Sequence, residues 1–232
     1  MLTLVLLPGL DGTCRLFEPL IQVLGDTVQV KPIPYPASTP LGYSELENLV
    51  RESLPESDPY IILGESFSGP IAVMISAAKP SNLKGLILCC SFVRNPQPLL
   101  KKFRSLLHVA PITNITNRIL SNIVLGRYNR GEIINSIVEA AKSLSPYVIR
   151  KRIEEVMDVD VSEELSQVTI PSMYIRASHD RVVPQAASEL ISSILPDIQV
   201  KTLAGPHFLL QAAPVESSEL VAEFMREVEN AL

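Results

Sequence analysis

The stretch Tyr60-Ile61-Ile62-Leu63-Gly64-Glu65-Ser66-Phe67-Ser68-Gly69 decides the fold. Its first four residues are apolar in a row, the pattern of a strand covered on both faces rather than on one. Residues 69–79 are apolar nearly all round and stop at Pro80, which predicts a buried helix. A serine on such a strand-to-helix turn sits in a strained backbone conformation, so residues two positions to either side must be small. Here they are Gly64 and Ser68; serine at the second place departs from the usual Gly-x-Ser-x-Gly spacing but stays small.

Outward from this turn, short apolar runs alternate with longer helical patterns, as in a parallel α/β sheet. Strands are predicted at Thr3–Leu7, Val28–Ile33, Tyr60–Leu63, Leu86–Cys90, Ser172–Arg176 and Ile198–Thr202. Helices are predicted at 15–24, ending at Gly25, at 43–54, at 69–79 and at about 215–231. Residues 95–167 break the alternation and read as short helices at 97–109, 115–125, 131–143 and 146–157, with a turn near 162–167. A helical insertion between two strands of one sheet reads as a lid within a single domain covering 1–232.

The totals agree with one domain. The chain has 232 residues, 47% hydrophobic and 19% charged, enough to bury one core and too apolar for disorder. A net charge of −5 disfavours nucleic acid as a partner. The apolar N-terminal run is about seven residues long and enters a Pro-Gly turn, so it reads as a buried strand, neither a signal peptide nor a membrane span. Cys14, Cys89 and Cys90 form no disulfide framework and read as reduced thiols of a cytoplasmic protein.

A serine hydroxyl needs an imidazole to take its proton. Of three histidines, His207 in Gly205-Pro206-His207-Phe208 lies just past the last predicted strand, where sites collect in open α/β sheets. His108 falls in the helical insertion, and His179 beside a candidate acid. Asp180 directly follows another strand and is the candidate to orient the imidazole; Asp158 and Asp160 are rivals that precede that strand. The developing oxyanion calls for two N–H donors, assigned to Phe67, after the serine, and to Leu10 in the loop Pro8-Gly9-Leu10-Asp11-Gly12. That loop lacks the third glycine and the lysine of a phosphate loop. The three histidines are scattered and no Cys/His cluster exists, so no metal or other cofactor is expected.

With Pro8-Gly9, the turn at 64–69, Asp180-x-x-Val183-Pro184 and Gly205-Pro206-His207-Phe208 in this order, the chain resembles the α/β-hydrolase superfamily over essentially its whole length. The resemblance implies a minimal α/β-hydrolase of about six parallel strands, with a helical lid at 95–167 inserted before the strand that carries the acid. It also implies a triad of Ser66, Asp180 and His207. Family members usually open the oxyanion loop with His-Gly, and Pro8-Gly9 stands here instead. The chain looks most like small lidded esterases of the kind that cleave the methyl ester of a carrier-bound pimeloyl group.

The expectation is a carboxylic-ester hydrolase acting on small to medium acyl esters. Residues 94–157 carry eleven Lys or Arg against four Glu, a net +7 that leaves −12 elsewhere. A basic lid over an acidic body would steer an acidic partner to the mouth of the site; the resemblance implies an acyl carrier protein as that partner, and a solvated helical surface with a chance excess of cations is the alternative. Thioesterase or C–C lyase chemistry on the same triad, and a non-catalytic ligand-binding role, remain open, since fold does not fix function.

Overall fold

The computed structural model describes residues 2–104, 124–128 and 131–232. Six parallel strands form one sheet: β1 (Thr3–Leu7), β2 (Gln29–Pro32), β3 (Tyr60–Glu65), β4 (Leu83–Cys89), β5 (Ser172–Ala177) and β6 (Gln199–Leu203). Their spatial order is β2-β1-β3-β4-β5-β6. Leu7 stands opposite Gly64, so the ends of β1 and β3 are level. The four inner strands are almost wholly buried, whereas β2 and β6 are largely exposed or half-exposed. The edges carry Lys31, Pro32 and Lys201, residues that resist further strand pairing.

Alternate side chains of each inner strand enter opposite layers. Val5, Ile62, Leu86, Leu88 and Tyr174 meet α2 (Tyr43–Ser53), α3 (Gly69–Ala77), α6 (Ser162–Ser166) and α7 (Gln185–Ile194). Leu4, Ile61, Leu63, Ile87 and Ile175 meet α1 (Glu18–Leu24), α8 (Leu209–Ala212) and α9 (Pro214–Asn230). The helix α3, predicted from its all-round apolar face, is buried along almost its whole length.

Between β4 and β5 the described residues hold no strand. They form α4 (Gly131–Lys142), α5 (Pro146–Asp158), α6 and short 3-10 helices at Pro98–Phe103 and Gly126–Tyr128. The helix predicted at 131–143 is α4, and that at 146–157 is α5, which Ser145 caps by accepting from the Tyr147 N–H at 3.3 Å. Those predicted at 97–109 and 115–125 lie partly outside the described residues, and His108 lies outside them.

Three elements depart from expectation: β4, α7 and the short helix α8, for which no helix is predicted. β4 starts at Leu83, three residues early, because Gly85 lets the strand continue beneath Phe224 and Ile61 where Lys84 interrupts the apolar run. The sequence predicts no helix at 185–194, where α7 forms. Its buried face includes Ser188, whose hydroxyl satisfies itself on the Gln185 carbonyl at 2.8 Å, so the apolar stripe that marks a helix is diluted.

Phe224 fills the layer between α9 and the sheet and is buried at 2% exposure. Phe224→Ala is expected to cost about 3–5 kcal/mol in urea unfolding, with turnover per folded molecule unchanged, since the residue lies on the face away from α3.

Candidate active site

Strand order reverses between β1 and β3: the chain leaves β1 toward β2 and leaves β3 toward β4. At such a switch the two loops part and a crevice opens at the carboxyl ends of the strands. The Pro8–Gly12 loop and Ser66 flank that crevice.

Ser66 has φ of 48°, a left-handed conformation that a serine adopts only under constraint. Part of the constraint is the tight contact between β3 and α3. A Cβ on Gly64 would stand 2.8 Å from the Ser68 carbonyl oxygen, so only glycine fits. The Ser66 carbonyl accepts from the Ser91 hydroxyl at 2.6 Å, and the Ser91 carbonyl accepts from Tyr174 at 2.7 Å, pinning the turn to the next two strands.

The structure brings Ser66, His207 and Asp180 together. Ser66 Oγ lies 2.8 Å from His207 Nε2, and His207 Nδ1 lies 2.8 Å from Asp180 Oδ2. A carboxylate only accepts, so Nδ1 carries the proton and Nε2 is left to accept from the serine. Asp180 Oδ1 accepts from the Val182 and Val183 N–H groups, each at 2.8 Å, which aims Oδ2 at the imidazole. The loops after β5 and β6 are tied by Ser178 N–H to Leu203 O and His179 N–H to Gly205 O. The rivals are engaged elsewhere: Asp158 with Lys101 and Arg104, Asp160 with Arg94, and His179 with Arg127 and Ser178.

Phe67 opens the turn after Ser66, where the first N–H groups of a helix have no partner in its ladder. Leu10 lies across the crevice. The loop carrying it has three successive carbonyls held: Pro8 O by the Ser68 hydroxyl, Gly9 O by the Gly12 N–H at 3.0 Å, and Leu10 O by Arg152 at 2.8 Å. Ser68, the departure from the common motif, thus has a partner to serve. Its hydroxyl also meets the Tyr35 hydroxyl at 2.6 Å.

A cavity of about 160 Å³ opens beside Ser66. Leu10, Phe67 and Phe92 line one side, and Ile153, Val156 and Met157 of α5 the other. Among the described residues none that lines it is charged. The amides of Asn95 and Gln97 are spent on the Met157 and Val182 carbonyls. No group of three or more His, Cys, Asp or Glu among the described residues is arranged for a metal, and no helix among them is long and apolar enough to cross a membrane. Cys14 is no rival nucleophile, because burial, with Asp11 and Glu65 near, pushes its thiol up to about 12.

Sequence reasoning missed Glu65, Tyr35 and Arg152. A buried carboxyl beside the serine has no signature, since position 65 is variable in the motif and reads as the end of a strand. Glu65 is buried; desolvation raises its carboxyl to about 7, helped by Asp11 and opposed by Gln211, His207 and the Gly9 N–H. A carboxyl raised from 4.5 to about 7 contributes stability that is complete below 4.5 and lost as pH rises through 7. Glu65→Gln is therefore expected to match the wild type in stability near pH 4.5. Above pH 7 it should exceed it by roughly 3 kcal/mol in urea unfolding.

Comparison with known proteins follows the same lines. A model of the family described as serine aminopeptidase, S33, matches residues 43–207. The chain is 26% identical over 222 residues to pimeloyl-[acyl-carrier protein] methyl ester esterase of Xanthomonas oryzae pv. oryzae (strain MAFF 311018), covering 87% of this chain and 86% of that protein. It is 23% identical over 216 residues to proline iminopeptidase of Saccharolobus solfataricus, covering 81% and 68%. The fold superimposes on the enol-lactonase of Burkholderia xenovorans LB400 with a TM-score of 0.83 at 14% identity, over 96% of this chain and 90% of that one. For a lipase-esterase related protein of Clostridium acetobutylicum ATCC 824 the TM-score is 0.82 at 17% identity, over 96% and 94%. The six-stranded parallel sheet and a family match that runs from α2 to His207 together place the chain in the serine aminopeptidase S33 family of α/β-hydrolases.

Proposed function

We propose that the chain hydrolyses carboxylic esters of small to medium acyl groups through an acyl-enzyme on Ser66. The observation that carries this reading is the uncharged, apolar cavity opening beside a serine hydroxyl already bonded to an imidazole. An aminopeptidase has to hold the ammonium of its substrate, which calls for a carboxylate in the pocket, and the described lining offers none. A neutral acyl chain fits it by burial alone.

In this mechanism Ser66 Oγ bonds to the ester carbonyl carbon as its proton passes to His207 Nε2. The carbon–oxygen bond to the leaving alcohol then breaks, and His207 returns the proton to that oxygen. Water repeats the sequence and frees the acid. Asp180 holds the imidazole tautomer and balances its positive charge, while the Leu10 and Phe67 N–H groups bind the oxyanion. Residues 95–167 serve as a helical lid on the one domain, with α5 forming its wall over the acyl group. Thioester or C–C cleavage would use the same groups, and a matched ester–thioester pair separates them.

A carrier-protein-bound ester is the second form of substrate we consider, favoured by likeness to the methyl ester esterase. Charge lends it less than the +7 over 94–157 implied. Carried to residue 167, the lid has ten Lys or Arg against eight Asp or Glu. Arg152 is buried, and Lys101, Arg104, Lys142 and Lys151 are in ion pairs. The lid offers a weak field that steers a partner rather than a row of free cations that grips it.

An ester panel graded in acyl length, assayed with wild type and variants, tests the reading. Ser66→Ala is expected to abolish turnover, and Asp180→Asn to lower kcat by about 10⁴-fold. Activity surviving in Ser66→Ala overturns the mechanism. Arg150→Glu with Lys151→Glu should lower kcat/KM for a carrier-bound ester by about tenfold while leaving a free ester unchanged. Equal effects on both, or none, would remove the carrier protein.

A further inference from the structure

Among the described residues Arg152 is the largest fully buried side chain, at 1% exposure, and none of their ion pairs involves it, although the Asp11 carboxylate acts on it at longer range. A buried guanidinium costs several kcal/mol unless its donors are satisfied, and burial lowers its pKa. Two of its nitrogens donate to backbone, Nη1 to Leu10 O at 2.8 Å and Nη2 to Pro36 O at 3.1 Å, while Nε has no hydrogen-bond partner among the described residues. The Tyr35 ring lies 5.6 Å beneath it, and a Cβ at Gly12 would overlap it. The loop is shaped around this group.

The place of Arg152 in the chain gives the contact its meaning. Pro8 O is held from the sheet-and-helix body by Ser68, and Gly9 O within the loop itself by Gly12. Leu10 O is held from α5, and the next residues along α5, Ile153, Val156 and Met157, wall the acyl cavity. Leu10 itself packs against the cluster of Leu144, Val148 and Ile149, as does Ile153. One helix thus both walls the cavity and holds the peptide next to the Leu10 N–H, the proposed oxyanion donor.

We infer that Arg152 is a positioning residue through which α5, when an acyl chain fills the cavity, sets the direction of the Leu10 N–H. The inference rests on the ester-hydrolase reading above. Its consequence is that acyl length is felt in kcat as well as in KM, because an oxyanion donor acts on the transition state and hardly on the bound ester.

The test is steady-state kinetics of wild type, Arg152→Met and Arg152→Lys on esters of one alcohol with acyl chains from acetyl to octanoyl, with melting curves alongside. In Arg152→Met, kcat should fall about 10- to 100-fold with KM within about twofold, and the gain of kcat with acyl length should vanish while that of KM persists. Arg152→Lys keeps the charge and one donor and should recover part of kcat. A folded Arg152→Met with kcat within about threefold of wild type, or an undiminished length gain, overturns the inference. If Arg152→Met melts below the assay temperature, Arg152→Lys decides: kcat and length gain equal to wild type overturn the inference, and a loss of both at constant KM supports it. A wild type inactive on every ester overturns the ester-hydrolase reading and this inference together, whereas an active wild type isolates Arg152.

Discussion

A parallel sheet wound in two directions must change direction somewhere, and the crevice between β1 and β3 is the place where this one does. Everything in the site depends on that reversal. It places the Leu10 loop and the Ser66 turn side by side with room between them, while β5 and β6 bring Asp180 and His207 over from the other half of the sheet. The 2.8 Å contact between Ser66 and His207 spans 141 residues of chain, and no local preference creates it. Packing of helices on both faces fixes the strands, and the strands fix the distance.

The crevice is lined largely by apolar side chains, so the buried polar groups around it have to be met by the protein itself. An unmet carbonyl there costs about 1–3 kcal/mol, which is why Pro8, Gly9 and Leu10 each have a donor assigned. Glu65 is the group that the site accommodates least well. Its carboxyl is shielded from water between the Gly9 N–H and Gln211, and it stays partly protonated near neutral pH.

The readable part of this molecule was the part governed by local rules. The runs at Thr3–Leu7 and Tyr60–Leu63 are strands because branched apolar residues in series suit a sheet covered on both faces. His207 and Asp180 were reachable because each follows such a run. Helix α7 was not legible, since Ser188 occupies a buried position by bonding its own backbone. Arg152 was misread for a related reason. In sequence it stands in Arg150-Lys151-Arg152 and counts as surface charge, and only the fold turns it inward onto carbonyls of a loop 142 residues earlier. Composition registers charge but not direction.

Ser68 has a consequence for anyone who would edit this chain toward its relatives. Averaging over a family would write glycine at 68, restoring the familiar spelling around the nucleophilic serine. In this protein that edit removes the donor to the Pro8 carbonyl and the partner of the Tyr35 hydroxyl in one stroke. Both would be left buried with their bonding capacity unmet, at a site where the backbone at Ser66 is already under strain. Consensus is a guide to stability only where each position is independent of its neighbours. Here residue 68 is written jointly with residues 8 and 35, and the three have to be inherited or replaced as a set.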